Sequence, residues 1–226
     1  MASRPPTPAP EAPAPRPTVL VTGFEPFGAG GDNPSALAAL ALNDSDIAGH
    51  RVVGAVLPTV FGASRAVLED LVARHRPALV VCCGLAGGRA AISLERIAIN
   101  VDDARIADNA GAQPVDLPVV AGAPAAYFST LPIKAMLQSL RSAGIAAEVS
   151  QTAGTFVCNH VFYGLMHLLA QPGCRGVRGG LVHVPWLPGQ GEPAMPLETT
   201  VAGLRIALAC ALTVRKDLRI AAGALD

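Results

Sequence analysis

Residues Thr18–Gly84 read TVLVTGFEPFGAGGDNPSALAALALNDSDIAGHRVVGAVLPTVFGASRAVLEDLVARHRPALVVCCG, an alternation of short β-rich runs with stretches of helical period. TVLVT, RVVGAVL and ALVVCCG are apolar runs of strand length, whereas NPSALAALAL and ASRAVLEDLVARH between them carry helical patterns. Such alternation implies a largely parallel sheet, and the expected architecture is an α/β fold, a three-layer α/β/α sandwich with a mostly parallel, twisted central sheet. Downstream the pattern resumes with ERIAINV, a helix around LPIKAMLQSLRS, a strand around IAAEVS, a helix from Cys158 and a strand, GGLVHVPW, that ends in His183. A last helix sets Leu197, Val201, Leu204, Leu208 and Leu212 on one face. Roughly Asp102 to Thr130 carries no clear helix, and so long a connection inside a compact domain is expected to be a lid, a hairpin or an interface arm.

Composition bounds the rest. A chain of 226 residues with 51 % hydrophobic content suits one domain, expected over residues 18–226, with a large core. Residues 1–17, MASRPPTPAPEAPAPRP, are mostly Pro and Ala without an apolar pattern and read as a disordered tail. Seventeen basic residues balance 17 acidic ones without clustering, which gives no footprint for nucleic acid or an anionic membrane and favours a neutral small substrate. No apolar run approaches the ~18 residues of a membrane span, and the N-terminus has no signal-peptide core, so a soluble, cytoplasmic protein is expected. Five cysteines (Cys82, Cys83, Cys158, Cys174 and Cys210) resemble neither a disulfide framework nor paired zinc knuckles, and reduced thiols are expected.

Within QTAGTFVCNHVFYG, Cys158 stands where a Gly- and Thr-rich loop gives way to a helical run. A helix N-terminus stabilises a thiolate, so Cys158 is a candidate nucleophile. His183, two residues before Pro185, is presented at the C-terminal edge of a strand, where open α/β sheets bind ligands. Together they form a working acyl-transfer pair. Glu95 is the favoured carboxylate to orient the imidazole because it opens a β-rich run, with Asp102 and Asp103 as alternatives. Each has a plain structural reading too: an incidental helix-start cysteine, a satisfied core histidine, and a glutamate paired with Arg96 or Arg105. The four glycines of TGFEPFGAGGDNP form neither GxGxxG nor GK[ST], so no phosphate loop is read there. Phe24 and Phe27, bracketing Pro26, form either an apolar slot or a cap on the core, and Asn33 before Pro34 is a helix N-cap. His160 and His167 share a helix face without an HExxH motif, and no metal is expected.

Taken together, TGFEPFG, GLAGGR, ERIAINVDDARIADN, TAGTFVCNHVFYGLMH and HVPWLP, in this order, make the chain resemble the pyroglutamyl peptidase I family of cysteine peptidases over approximately Thr18 to Leu212. The resemblance implies hydrolytic removal of an N-terminal pyroglutamyl residue from small peptides by a cytoplasmic homotetramer that uses no cofactor. It implies Cys158 as nucleophile, His183 as general base and acid, and Glu95 as orienting carboxylate. It further implies Phe24 and Phe27 flanking the lactam ring, Asn33 bonding its amide, Phe156 and Val157 completing the wall, and Arg105 with the Cys158 N–H holding the oxyanion. For Arg105 an ion pair with Asp102 or Asp103 is the competing role. A neutral lactam suits such an apolar pocket with a few amide-directed hydrogen bonds.

One departure stands out. Relatives usually read GQAGGR where this chain has GLAGGR, placing Leu85 at a position the family uses in the lactam pocket. A backbone contact there would tolerate leucine, whereas a side-chain amide contact would change affinity or specificity. Two other readings stay open from sequence: a nucleoside phosphorylase or nucleosidase on a similar sheet, and a non-catalytic binder of pyroglutamyl peptides.

Overall fold

The computed structural model of the chain describes residues 16–28 and 31–223. The expectation of a disordered tail falls, over residues 1–15, outside the described residues. Arg16 and Pro17, at its end, are docked: Arg16 pairs with Asp46 at 3.2 Å and the Pro17 carbonyl accepts from Arg51 N at 3.0 Å.

In chain order the elements are β1 (Thr18–Phe24), α1 (Pro34–Leu42), β2 (Asp46–Ile47), β3 (His50–Leu57), α2 (Ala63–His75), β4 (Leu79–Leu85), β5 (Ile92–Glu95), β6 (Ile97–Ile99), β7 (Ala126–Phe128), α3 (Ile133–Ser142), β8 (Ala147–Ser150), α4 (Val157–Leu169), β9 (Arg178–Val184) and α5 (Leu197–Thr213). Seven strands form one sheet in the order β2-β3-β1-β4-β9-β5-β8. The β3-β1-β4-β9 centre is parallel, β5 and β8 are parallel to each other, and only the β2–β3 and β5–β9 pairings are antiparallel. The mostly parallel α/β/α sandwich is therefore the observed architecture.

Burial on both faces explains why the strands read as unbroken apolar runs. Val19 and Val21 of β1 and Leu79, Val81 and Cys83 of β4 face a core shared with α1, α3 and α5. Leu20, Val80 and Cys82 point the other way, into a core built on α2 and α4. Leu204 and Leu208 of α5 are buried in the first core, with Leu197, Val201 and Leu212 packed at its margin.

ERIAINV is not one strand. Glu95 closes β5 rather than opening a run, and Ile97–Ile99 leaves the sheet to pair antiparallel with Ala126–Phe128 in a separate two-stranded ribbon. Arg96 is the pivot: its N–H donates to the Ser150 carbonyl of the main sheet at 3.0 Å, while its own carbonyl accepts from Ser129 N at 2.9 Å. The excursion between the ribbon strands is pinned by an Asp102–Leu117 bridge and by the Asn100 side chain, which bonds the backbone of Val120 in both directions.

Candidate active site

The helix α4 starts after Gly154, whose φ of +76° suits glycine, and an extended Phe156 at the N-cap. Among the described residues no side chain caps it, in contrast to α1, where Asn33 Oδ1 accepts from Ser35 N at 3.0 Å. Among the described residues the first-turn N–H groups of Val157, Cys158 and Asn159 have no acceptor. Cys158, second in the helix, thus sits beside free donors at the positive end of the helix dipole.

The same face of the sheet supplies its neighbours. In register, Gly84 of β4 lies beside His183 of β9, and Ser93 of β5 lies across from it. Glu95, two residues on from Ser93, is the diagonal neighbour whose longer side chain reaches the imidazole. His183 Nδ1 donates to Glu95 Oε1 at 2.7 Å, with the ring and the carboxylate both buried. The lack of a side chain at Gly84 is what leaves room on the other side. A Cβ there would lie 2.8 Å from Cys158 Sγ and 3.1 Å from His183 Nε2, so thiol and imidazole converge on one glycine. The His183 pKa is raised to about 9: burial alone would lower it, but hydrogen bonds to Cys158 and Glu95 and their negative charge outweigh burial.

All six residues expected for the substrate wall, Phe24, Phe27, Asn33, Leu85, Phe156 and Val157, line one cavity of about 270 Å³ together with Cys158 and His183. Phe24 both lines it and is buried in the α2/α4 core, so slot and cap are the same residue. Phe27 tilts against Phe156 with ring centroids 6.3 Å apart, and Phe61 buttresses Phe156 edge-on at 5.3 Å. Asn33 also serves twice: it caps α1 and lines the cavity, one amide N–H being held by the Glu25 carbonyl at 3.1 Å. A larger cavity of about 500 Å³ adjoins through Phe27, Asn33 and Leu85 and extends to Trp186 and Gln190.

Arg105 is not brought into the Cys158 cavity. It is exposed and lines a neighbouring depression with Asp103, Ile106, Thr155 and Phe156. Pairing of Asp102 with Leu117, and of Asp103 N with the Thr155 carbonyl at 3.0 Å, fixes the backbone just before it. Neither competing ion pair forms: among the described residues Asp102 pairs instead with His160, Nδ1 to Oδ2 at 2.8 Å, and His160 Nε2 accepts from Gly62 N at 3.0 Å. His167 bonds the Tyr127 hydroxyl at 3.0 Å, and no group of three or more His, Cys, Asp or Glu among the described residues could hold a metal. No helix among them is long and apolar enough to cross a membrane.

The arginine that does reach the site is Arg89, which lines the cavity and donates to Glu95 Oε1 at 2.7 Å. It closes the GLAGGR motif, whose reading from sequence assigned a role to Leu85 and none to the arginine.

The pyroglutamyl peptidase family profile matches residues 17–214. The chain belongs to the pyroglutamyl peptidase family. Its relatives in the family include the pyrrolidone-carboxylate peptidase 1 of Ralstonia nicotianae, 58 % identical over 214 residues that cover 92 % of this chain and 99 % of the relative. Among solved pyroglutamyl peptidases, that of Bacillus amyloliquefaciens superposes with a TM-score of 0.88 at 41 % identity, covering 91 % of this chain and all of the other. The pyrrolidone carboxyl peptidase of Thermococcus litoralis gives 0.87 at 35 % identity over 91 % of this chain and 99 % of its own. The family match spans every element from β1 to α5, and so all of the strands and helices that build the cavity.

Proposed function

We propose that the protein is a cysteine exopeptidase that removes an N-terminal pyroglutamyl residue from peptides, with Cys158 as nucleophile, His183 as general base and acid, and Glu95 as the carboxylate that orients the imidazole. The observation that carries this reading is the convergence of Cys158 Sγ and His183 Nε2 on Gly84 at the wall of an apolar cavity.

The chemistry follows from the geometry. Cys158 gives its proton to His183 Nε2, and Sγ attacks the carbonyl carbon of the pyroglutamyl residue. The oxyanion lies against the unpaired N–H groups at the start of α4, that of Cys158 among them. Imidazolium then protonates the departing amine, the C–N bond breaks and a thioester remains. Water, deprotonated by His183, attacks the thioester carbon; the thiol is restored and pyroglutamate leaves.

Selectivity for a lactam has a physical basis in the lining. No carboxylate is among the described residues that line the cavity, and Arg89 contributes a positive charge. A free N-terminal ammonium would be desolvated there without a partner, whereas an uncharged lactam needs only apolar walls and an amide-directed hydrogen bond such as Asn33 offers. The reading includes action in the cytoplasm, without a cofactor, as a homotetramer; family membership supports it, and exposed Val115, Leu117 and Phe128 on the ribbon excursion offer apolar surface to a second copy.

The test is release of a fluorescent amine from a pyroglutamyl amide under reducing conditions, with a prolyl amide as control. Wild type should release it from the pyroglutamyl amide alone and Cys158→Ala from neither. Turnover by the folded alanine variant would overturn the mechanism.

A further inference from the structure

We propose that Arg89 is a positioning residue of this reaction, locking the Glu95 carboxylate against both His183 and the loop that leads into the Cys158 helix. The proposal rests on the peptidase reading above and adds a component to its machinery.

Glu95 Oε1 is shared. It accepts from His183 Nδ1 at 2.7 Å and from Arg89 Nη1 at 2.7 Å, while Oε2 is buried with no partner among the described residues. The terminal torsion of a glutamate is broad and two-fold, so a carboxylate bonded to imidazole alone could exchange its oxygens and swing the ring. Arg89 removes that freedom because its other arm is anchored: Nη2 donates to the Thr152 carbonyl at 3.0 Å. Thr152 lies in the segment between β8 and α4, so one rigid guanidinium joins the carboxylate strand to the approach of the nucleophile helix.

The local sequence is built to deliver this side chain. The turn closes with Arg89 N donating to the Ala86 carbonyl at 3.3 Å, and Gly88 has a φ of +85°. A Cβ on Gly87 would come within 2.5 Å of the Trp186 ring. An exposed ion pair of this kind would carry little weight, but here the Glu95 side chain is 0 % exposed and that of Arg89 28 %.

The titratable and charged groups around the imidazole are Cys158 from α4, Glu95 from β5 and Arg89 behind the carboxylate, with Cys82 of β4 near Cys158. Removing the one cation among them must raise the proton affinity of the cluster. The experiment compares wild type, Arg89→Lys, Arg89→Met and Arg89→Gln in kcat and KM on the pyroglutamyl amide, in the pH dependence of Cys158 alkylation by iodoacetamide, and in thermal melts. For Arg89→Met we expect kcat to fall between about ten- and a hundredfold with KM little changed. Its alkylation profile should move to higher pH by about one unit. Arg89→Lys should return the profile towards wild type yet recover only part of kcat, because an ammonium cannot hold both acceptors in a fork. Arg89→Gln replaces Arg89→Met if the latter fails to fold. An unmoved alkylation profile with kcat within about twofold of wild type, or a loss confined to KM, overturns the proposal. If wild type releases no amine the peptidase reading fails on its own, and the alkylation profiles still judge Arg89.

Discussion

Cys158 and Cys82 share one core face and differ in what surrounds them. Cys82 is fully buried, and burial pushes its pKa up to about 12, reinforced by nearby Cys158 and only partly offset by the Thr22 hydroxyl. Cys83 is pushed up further, also by burial. Cys158 is partly exposed at an uncapped helix start beside an imidazole. Iodoacetamide at neutral pH should therefore modify Cys158 more than about a hundredfold faster than Cys82 or Cys83, as followed by peptide mass spectrometry; comparable rates would contradict this placement. Leu85 is the residue-scale question of specificity. Its position lines the cavity, so Leu85→Gln should supply one additional hydrogen bond to the lactam and lower KM about two- to tenfold with kcat little changed. An unchanged KM would assign the contact at this position to the backbone. Cys158 and His183 could be singled out from sequence because each stands at a local boundary, a loop turning into a helix and a strand running into Pro185. Arg89 could not, since its role depends on Glu95 and Thr152 meeting in space.

At the scale of elements, α4 is held at its start by a chain that runs from buried Asp102 Oδ2 through His160 to the N–H of Gly62 at the surface, which ties the ribbon excursion, the nucleophile helix and the turn before α2 together. His160→Ala would leave the buried Asp102 carboxylate without its imidazole partner and should cost about 2–4 kcal/mol in urea unfolding. His167→Ala, which removes a partly exposed bond to Tyr127, should cost less than about 1 kcal/mol. Equal effects would show that the Asp102–His160 chain does not hold the helix. The helical face shared by His160 and His167 was legible, but their partners lie 58 and 40 positions away and no local period encodes them. The β/α alternation from Thr18 to Gly84 was legible for the opposite reason: both sheet faces are buried, so the strands announce themselves as apolar runs. ERIAINV misleads because only its Glu95 belongs to the main sheet while Ile97–Ile99 pair in the ribbon, and the departure at Arg96 depends on Ser150 and Ser129, distant in the chain.

Across the whole molecule these local shifts combine into one dependence on pH. His183 has an ordinary value of 6.5 and a folded value of about 9, so the native state binds its proton more tightly than the unfolded chain. That stabilisation is complete below about 6.5 and drains away as pH rises through 9. The buried Cys82 and Cys83 act in the same direction but later: their pKa values are raised above an ordinary 9.0, so their contribution is lost only above that pH, as the unfolded thiols ionise and the folded ones do not. Urea unfolding from pH 6 to 10 should therefore show stability falling in two windows. His183→Gln should flatten the window between 6.5 and 9, and the double variant Cys82→Ala, Cys83→Ala should flatten the one above 9.0 whatever its absolute stability. Activity should share the first window, because the imidazolium that protonates the departing amine is lost there, giving kcat/KM a basic limb near 9. A basic limb near 7, with no difference in slope between wild type and His183→Gln, would mean that the imidazole is not held between Cys158 and Glu95 in solution.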